Sequence, residues 1–207
     1  MNNRNEKIRN ILVPILSVIM GLVLGAILML SFGYNPITGY GSMLDAALGN
    51  QRSIGETLRQ ATPLIFTALG FSVANSAGFF NIGLSGQALA GWLTSVWVAL
   101  LLPELPKLVL LPLAVLLGAL AGAVAAAIPG LLRAYFGTSE VIVTIMMNYI
   151  LLYVSTYMLQ SVMSESLRTS LDSSNQISAN ASLRLPWLTQ LFGGSRVNAG
   201  LILALIA

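Results

Sequence analysis

The chain has 207 residues, of which 56% are hydrophobic and only 8% are charged, and its formal net charge is +3. Soluble domains carry about 25% charged residues, so this composition excludes an ordinary soluble protein and predicts an all-α polytopic membrane protein. The chain has no cysteine and no histidine, so we expect no thiol chemistry and no metal site, and its few arginines at membrane edges do not indicate a nucleic-acid partner.

The first predicted span is the apolar run at 11–32, which follows a basic tail at 1–10. A basic end before an apolar run is also typical of a signal peptide, but this run is too long and no Ala-x-Ala-like site closes it. We therefore expect a transmembrane helix with its N-terminus in the cytoplasm, on the positive-inside rule. The stretch 33–50, which contains Gly, Tyr, Asn and Pro, predicts a loop.

The stretch 51–77 combines a polar helix start with a second apolar run. Ser53 and Glu56 have the spacing of a capping box, in which Ser53 accepts from the amide of Glu56 and the glutamate reaches back. This spacing predicts a short interfacial helix, which Pro63 kinks or restarts as the second span, at about 61–77.

The stretch 75–87 is polar although it lies between two strongly apolar runs. Amides and hydroxyls that face lipid tails are costly unless hydrogen-bonded, and glycine lets a backbone bend or approach another closely. Two arrangements fit equally well: a break or tight turn held inside protein or against a watery cavity, and a short loop at the membrane surface. The polar side chains are Asn75, Ser76, Asn81, Ser85 and Gln87, and the glycines that we expect to break the backbone are Gly78, Gly83 and Gly86.

The third and fourth spans are predicted at 85–102 and 108–128, with a two-proline turn at 103–107 between them. Gly118 and Gly122 form a Gly-x-x-x-Gly face that suits close helix packing. A short polar loop is predicted at 129–139, in which Thr138 caps a fifth span that runs to about 162. Asn148, the deepest amide of that span, serves either as a helix–helix contact or as pathway lining.

The remaining stretch, 163–197, is rich in Ser and Asn and has little periodicity, which predicts a long aqueous loop, partly disordered. The apolar run 198–207 is too short to span a bilayer, so we expect the given chain to stop inside a sixth helix. An internal N-terminus makes 163–197 an external loop. The count of Lys and Arg by loop opposes that orientation, but charge near the first helix usually dominates.

One short motif indicates chemistry. Gly83-Leu84-Ser85-Gly86 matches the Gly-x-Ser-Gly of rhomboid intramembrane proteases, in which a histidine on another helix activates the serine. A serine without a base is a poor nucleophile, and this chain has no histidine. The sequence also contains no P-loop and no carboxylate deep in a span, so neither ATP binding nor an ion-driven carrier is indicated.

Three stretches resemble the permease subunits of bacterial ABC importers, most closely the class that takes up nucleosides and simple sugars. Residues 79–87, Phe-Phe-Asn-Ile-Gly-Leu-Ser-Gly-Gln, are similar to the family's Phe-Asn-Ile-Gly-x-x-Gly-Gln signature. Residues 128–137 resemble the family's cytoplasmic loop. Residues 139–150 resemble its Asn-Glu-Val-Ile-x-Thr-Ile-Met-x-Asn-Tyr-Ile block, with Ser139 where asparagine is usual.

The resemblance implies a single transmembrane permease domain over 1–207, which pairs with a second permease subunit around a pathway through the bacterial cell membrane. Cytoplasmic ABC ATPase subunits would drive alternating access, and a substrate-binding lipoprotein would deliver a neutral nucleoside or sugar. The chain would then supply passage, with no cofactor and no catalysis. The family's ATPase-coupling segment is not found in these residues, and a membrane scaffold without a pathway stays open as an alternative. By resemblance, the residues near the pathway are Asn75, Asn81, Ser85 and Gln87, with Asn148 on a neighbouring helix.

Overall fold

The computed structural model describes residues 3–171 and 173–207, and for residues 3–11 it describes the backbone only. Part of the predicted tail 1–10 and Asp172 therefore lie outside the described residues. Within the described ranges the chain is almost entirely helical, which agrees with the all-α prediction. The helices are α1 (Asn3–Ser31), α2 (Pro36–Leu48), α3 (Gln51–Ser76), α4 (Leu84–Leu101), α5 (Lys107–Phe136), α6 (Glu140–Tyr157), α7 (Pro186–Leu191) and α8 (Ala199–Ile206).

Four segments of the described chain are long and apolar enough to cross a bilayer. They correspond to the first, third, fourth and fifth predicted spans, and most of their surface is apolar and exposed, as expected where lipid is the solvent. The predicted second span lies in α3, which is long enough to cross but is not among these four, so that span stays a prediction. The four segments are Leu12–Ser31, Leu84–Leu101, Lys107–Phe136 and Glu140–Val162.

The helices α4, α5 and α6 form the packed centre, and small residues let α4 approach α5 closely. A Cβ added to Gly118 would lie 2.8 Å from the carbonyl oxygen of Gly91 and would overlap the hydroxyl of Ser95. That hydroxyl donates a hydrogen bond of 2.9 Å to the carbonyl of Ala114 across the same interface. The absence of side chains at the two glycines therefore sets the distance between the two helices.

The predicted loop at 33–50 was wrong, because most of it forms α2. Asn35 caps this helix: its side-chain oxygen accepts from the backbone amides of Ile37 and Thr38. Pro36 occupies the first turn, where a missing N–H costs nothing. The Asn-Pro pair that suggested a turn is thus a helix start.

The start of α3 also differs from the prediction. Asn50, and not Ser53, caps the helix, since its side-chain oxygen accepts from the amide of Ser53 at 2.9 Å. Glu56 binds the side chain of Arg59 at 2.6 Å and the backbone amide of Arg196 at 2.9 Å. The helix then continues through Pro63 without the predicted restart.

The predicted polar loop at 129–139 is much shorter in the structure. α5 continues through Pro129 to Phe136, and Gly137, with φ of +61°, ends it in the left-handed conformation. The predicted cap by Thr138 was wrong: Ser139 holds the cap position, and the buried hydroxyl of Thr138 has no partner within the described chain. Pro129 has no backbone N–H and so removes one hydrogen bond from α5. The flanking turns of this apolar helix keep their hydrogen bonds, and the helix therefore continues.

A five-residue π-helix, Met158–Val162, continues α6, and the chain then enters the stretch predicted as a long loop. Its described residues form short ordered elements: a 3₁₀ turn Glu165–Leu167, a small hairpin of β1 (Arg168–Ser170) and β2 (Ser173–Ser174), a second turn Ala179–Ala181, and α7. Leu188 and Val197 pack with Leu201 of α8 in a small apolar cluster, against which Leu58 of α3 also lies. These scattered apolar residues fold the stretch back onto the helix ends.

The run 198–207 begins a helix, as predicted. Asn198 caps α8 by accepting from the amide of Gly200 at 2.9 Å.

Candidate functional site: the break between α3 and α4

The chain between α3 and α4 is not helical, and glycine makes its turn possible. Gly78 has φ of +75°, a conformation that residues with a Cβ rarely adopt. The amide of Gly78 donates to the carbonyl of Asn75, and the amide of Phe79 donates to the carbonyl of Ala74, each at 3.0 Å. These two bonds form the Schellman arrangement that ends a helix and turns the chain back.

Two amide side chains then fix the start of α4. Asn81 donates to Gln87 at 3.0 Å, and Gln87 donates back to Asn81 at 3.2 Å. The oxygen of Asn81 also accepts from the backbone amide of Gly83 at 2.8 Å. Asn81 is 6% exposed and Gln87 9%, so each amide satisfies the other out of contact with solvent.

Helix α6 holds the break from the other side. The hydroxyl of Thr144 accepts from the amide of Ile82 at 3.3 Å. Asn148 donates to the carbonyl of Ile82 at 3.0 Å and accepts from the amide of Gly86 at 2.9 Å. Residues four apart lie on one face of a helix, so Thr144 and Asn148 reach the break together. We refer to Asn81, Gln87, Thr144 and Asn148 as the polar cluster.

Glycines leave the space that this cluster occupies. A Cβ on Gly83 would lie 3.0 Å from the oxygen of Asn81 and 3.2 Å from the Cβ of Thr144. A Cβ on Gly86 would lie 3.0 Å from the Cα of Asn148. Gly83 thus stands at the start of α4, whereas Gly86 lies inside α4 at its contact with α6 and does not belong to the break itself.

The polar cluster contacts α5 near the middle of that helix, although it lies at the start of α4 and in the first half of α6. A Cβ on Gly122 of α5 would lie 3.3 Å from the carbonyl oxygen of Gln87. Gly122 is near the middle of α5, so that about 20 Å of that helix continues on either side of this contact, at about 1.5 Å per residue. Of the two arrangements that the sequence left open, a break held inside the protein describes these contacts, because its polar groups pair with one another and with the backbone between packed helices.

The remaining predicted pathway residues lie outside the polar cluster. Asn75, in the last turn of α3, and Ser85, in the first turn of α4, are both exposed. Gly118, which was predicted for helix packing and not for the pathway, lies at the α4–α5 contact described above. The hydroxyl of Ser85 has no hydrogen-bond partner among the residues described.

Thr144 was not among the predicted site residues, yet it is completely buried and holds the break. Its spacing of four from Asn148 was the available signal. The cluster contains no ionisable side chain, and in the described chain no group of three His, Cys, Asp or Glu could hold a metal ion. The polar cluster therefore offers uncharged hydrogen-bond donors and acceptors.

The fold and the site define a multi-pass α-helical membrane protein in which a buried polar cluster holds a break between two helices. The chain belongs to the family of permease components described as the branched-chain amino acid transport system permease component, whose sequence model matches residues 53–207.

Several curated relatives are named as ABC transporter permease proteins. The chain is 52% identical over 205 residues to the nucleoside ABC transporter permease protein NupB of Lactococcus lactis, an alignment that covers 98% of this chain and 56% of the relative. It is 41% identical over 202 residues to the guanosine ABC transporter permease protein NupP of Bacillus subtilis, with coverages of 98% and 57%. A glucose ABC transporter permease protein of Haloferax volcanii is 35% identical over 150 residues, with coverages of 72% and 39%.

The chain therefore spans little more than half the length of the first two relatives. No solved structure matches it.

Proposed function

We propose that this protein is the transmembrane permease subunit of an ATP-driven ABC importer and forms part of the passage for nucleosides or related simple sugars. The observation that carries the proposal is the 52% identity with a nucleoside permease over 98% of the chain. Membership of the permease family supports the transport role independently.

The polar cluster supports a neutral solute. Amides and hydroxyls can exchange hydrogen bonds with the hydroxyls of a ribose or the edges of a base, and no fixed charge traps the solute. Asn81, Gln87 and Asn148 are paired in the structure, so a passing solute would replace one of these bonds. Exposed Ser85 and Asn75 line the approach in this proposal.

The proposed partners follow from the permease role. Cytoplasmic ABC ATPase subunits supply the energy, a second permease subunit completes the pathway, and a substrate-binding lipoprotein delivers the solute. This chain carries no catalytic step. We place it in a bacterial cell membrane with its N-terminus in the cytoplasm and the stretch 163–197 outside.

Uptake of radiolabelled guanosine and uridine tests the proposal. Cells that lack the gene should take up less of both nucleosides, and cells that regain it should recover. Equal uptake with and without the gene would contradict a permease role and favour a scaffold. Labelled glucose serves as a parallel substrate, and uptake of glucose alone would contradict the nucleoside assignment.

The Ser85→Ala variant separates transport from proteolysis. A permease should retain uptake within a factor of a few, because one exposed hydroxyl is lost. Loss of peptide cleavage with unchanged nucleoside uptake would instead show a second, proteolytic activity.

A further inference from the structure

A concave surface lies where the stretch 176–198 meets the beginning of α5 and the flanks of α3 and α4. Its larger part, about 770 Å³, has Lys107, Arg184 and Arg196 in its wall together with the hydroxyls of Ser178 and Ser182. A smaller part of about 480 Å³ shares Ser182, Arg184 and Arg196 with the first and continues between the two helices. We refer to the two parts together as the basic groove.

The charges in the larger part are all of one sign. No carboxylate belongs to its lining, and the side chains of Lys107 and Arg184 form no ion pair within residues 3–171 and 173–207. Arg196 interacts electrostatically with Glu56, which lies outside the lining and is also paired with Arg59. Like charges gathered in a concave, low-dielectric wall concentrate a positive potential. Two arginines in that wall offer planar forks that match the oxygens of a phosphate.

The smaller part of the groove has an apolar wall. Pro63 of α3 and Trp92 and Val96 of α4 form this wall, and Arg59, which also lines this part, pairs with Glu56. The indole of Trp92 is 53% exposed, and α4 is one of the four segments able to cross a bilayer. Trp92 lies near the middle of this segment, so this end of the groove opens beside an apolar, exposed helix face that lipid chains can cover.

We propose that the basic groove binds an anionic phospholipid, with the phosphate held by Lys107, Arg184 and Arg196 and the acyl chains against Trp92 and Val96. A free phosphate would satisfy the cations but not the apolar wall. The lipid satisfies both, and it would join the stretch 176–198 to the bilayer beside α3 and α4.

The test uses the full-length protein in its purified complex, with phosphatidylglycerol and phosphatidylcholine as probe lipids and native mass spectrometry as the measurement. The wild type should retain phosphatidylglycerol in preference to phosphatidylcholine. Replacing Arg184→Gln and Arg196→Gln should weaken retention about fivefold for each arginine, since a cation near an anionic lipid surface is worth about 1 kcal/mol. Arg52→Gln is the matched control, because it removes an exposed arginine that lines neither part.

A second pair of measurements distinguishes lipid from free phosphate. Trp92→Ala should weaken phosphatidylglycerol retention, and inorganic phosphate should compete poorly with the lipid. Equal retention of the two lipids by the wild type would overturn the proposal, and this comparison requires no variant to fold. Binding of inorganic phosphate without any lipid would also overturn it, as would an Arg52→Gln loss equal to that of the double variant.

Discussion

Two stretches of this chain have similar polar composition but are held in different ways. The break between α3 and α4 and the stretch 163–197 both carry Ser and Asn side chains between apolar segments. In the break, the buried amides of Asn81 and Gln87 and the half-buried Asn148 pair with one another or with the backbone through several hydrogen bonds. In the later stretch, single contacts at the helix ends carry the polar attachment, such as Asn180 to the carbonyl of Leu105 and the amide of Arg196 to Glu56.

The difference shows that burial within the protein sets the free-energy cost of losing a polar contact. An unpaired amide in a low-dielectric interior is costly, so the polar cluster has to be complete. A contact at the aqueous edge competes with water, and its loss is cheap. We therefore expect a graded series of effects, from the centre of the molecule outward.

The largest effect is expected for Asn148→Ala. The change leaves the amide of Gly86 and the carbonyl of Ile82 without their partner. Unfolding in detergent should show a loss of about 2–4 kcal/mol, because the buried amide of Gly86 is left unsatisfied at a cost of about 1–3 kcal/mol and the exposed bond to Ile82 contributes about 0.5–1.5 kcal/mol. Asn75→Ala is the control, since it removes an exposed amide from the same region. Equal stability of the two variants would contradict the depth argument.

A smaller loss is expected for Gly118→Ala. The added Cβ would lie 2.8 Å from the carbonyl oxygen of Gly91, and overpacking of this kind costs about 1–3 kcal/mol. Gly130→Ala makes the same change in the same helix where nothing lies within 4 Å of the new Cβ, and should be neutral or slightly stabilising. Thermal unfolding of both variants measures the difference. If Gly130→Ala proved as harmful as Gly118→Ala, contact between the helices would not be the reason.

Asn180→Ala tests the outer stretch. It removes one hydrogen bond of 3.1 Å to the carbonyl of Leu105, at a turn between helices. We expect a loss of about 0.5–1.5 kcal/mol, measured in the same unfolding assay and smaller than that of Asn148→Ala. A larger loss than at the centre would reverse the comparison.

The smallest effect concerns Glu56. The amide of Arg196 and the side chain of Arg59 lower the pKa of this carboxyl below its ordinary value of 4.5. Because the folded-state pKa is depressed, the stabilisation is fully present above pH 4.5 and is lost as the pH falls through the lowered pKa. The pair is partly exposed, so less than about 1 kcal/mol is involved. Unfolding followed below pH 4.5 should show this acid dependence in the wild type and lose it in Glu56→Gln.

The sequence predicted four of the membrane segments, since a long apolar run has little alternative to a helix in lipid, and three of them agree within a few residues, whereas α5 runs eight residues beyond its predicted end. It also located the break, because polar residues and glycines between apolar runs need a special arrangement. It failed at helix ends: Asn35 and Asn50 are caps that local spacing did not single out, and Pro129 does not end α5.

The pairing of the polar residues could not be predicted either. Nothing local shows that Asn148 reaches a backbone 62 residues away at Gly86, or that Gln87 pairs with Asn81. The same limitation applies to the outer stretch, whose few apolar residues find partners on α3 and α8 only once the chain has folded.

By itself, the sequence determined that this protein's helices lie in lipid. It also determined the position of most helices and the place where a polar segment interrupts them. These follow from the transfer cost of each side chain, which is a local quantity. Tertiary structure alone decided which amides form hydrogen bonds with one another, which helices enclose the break and where cations gather around a groove. Those depend on distances between residues far apart in the chain, which only the packing of α4 against α5 and α6 fixes.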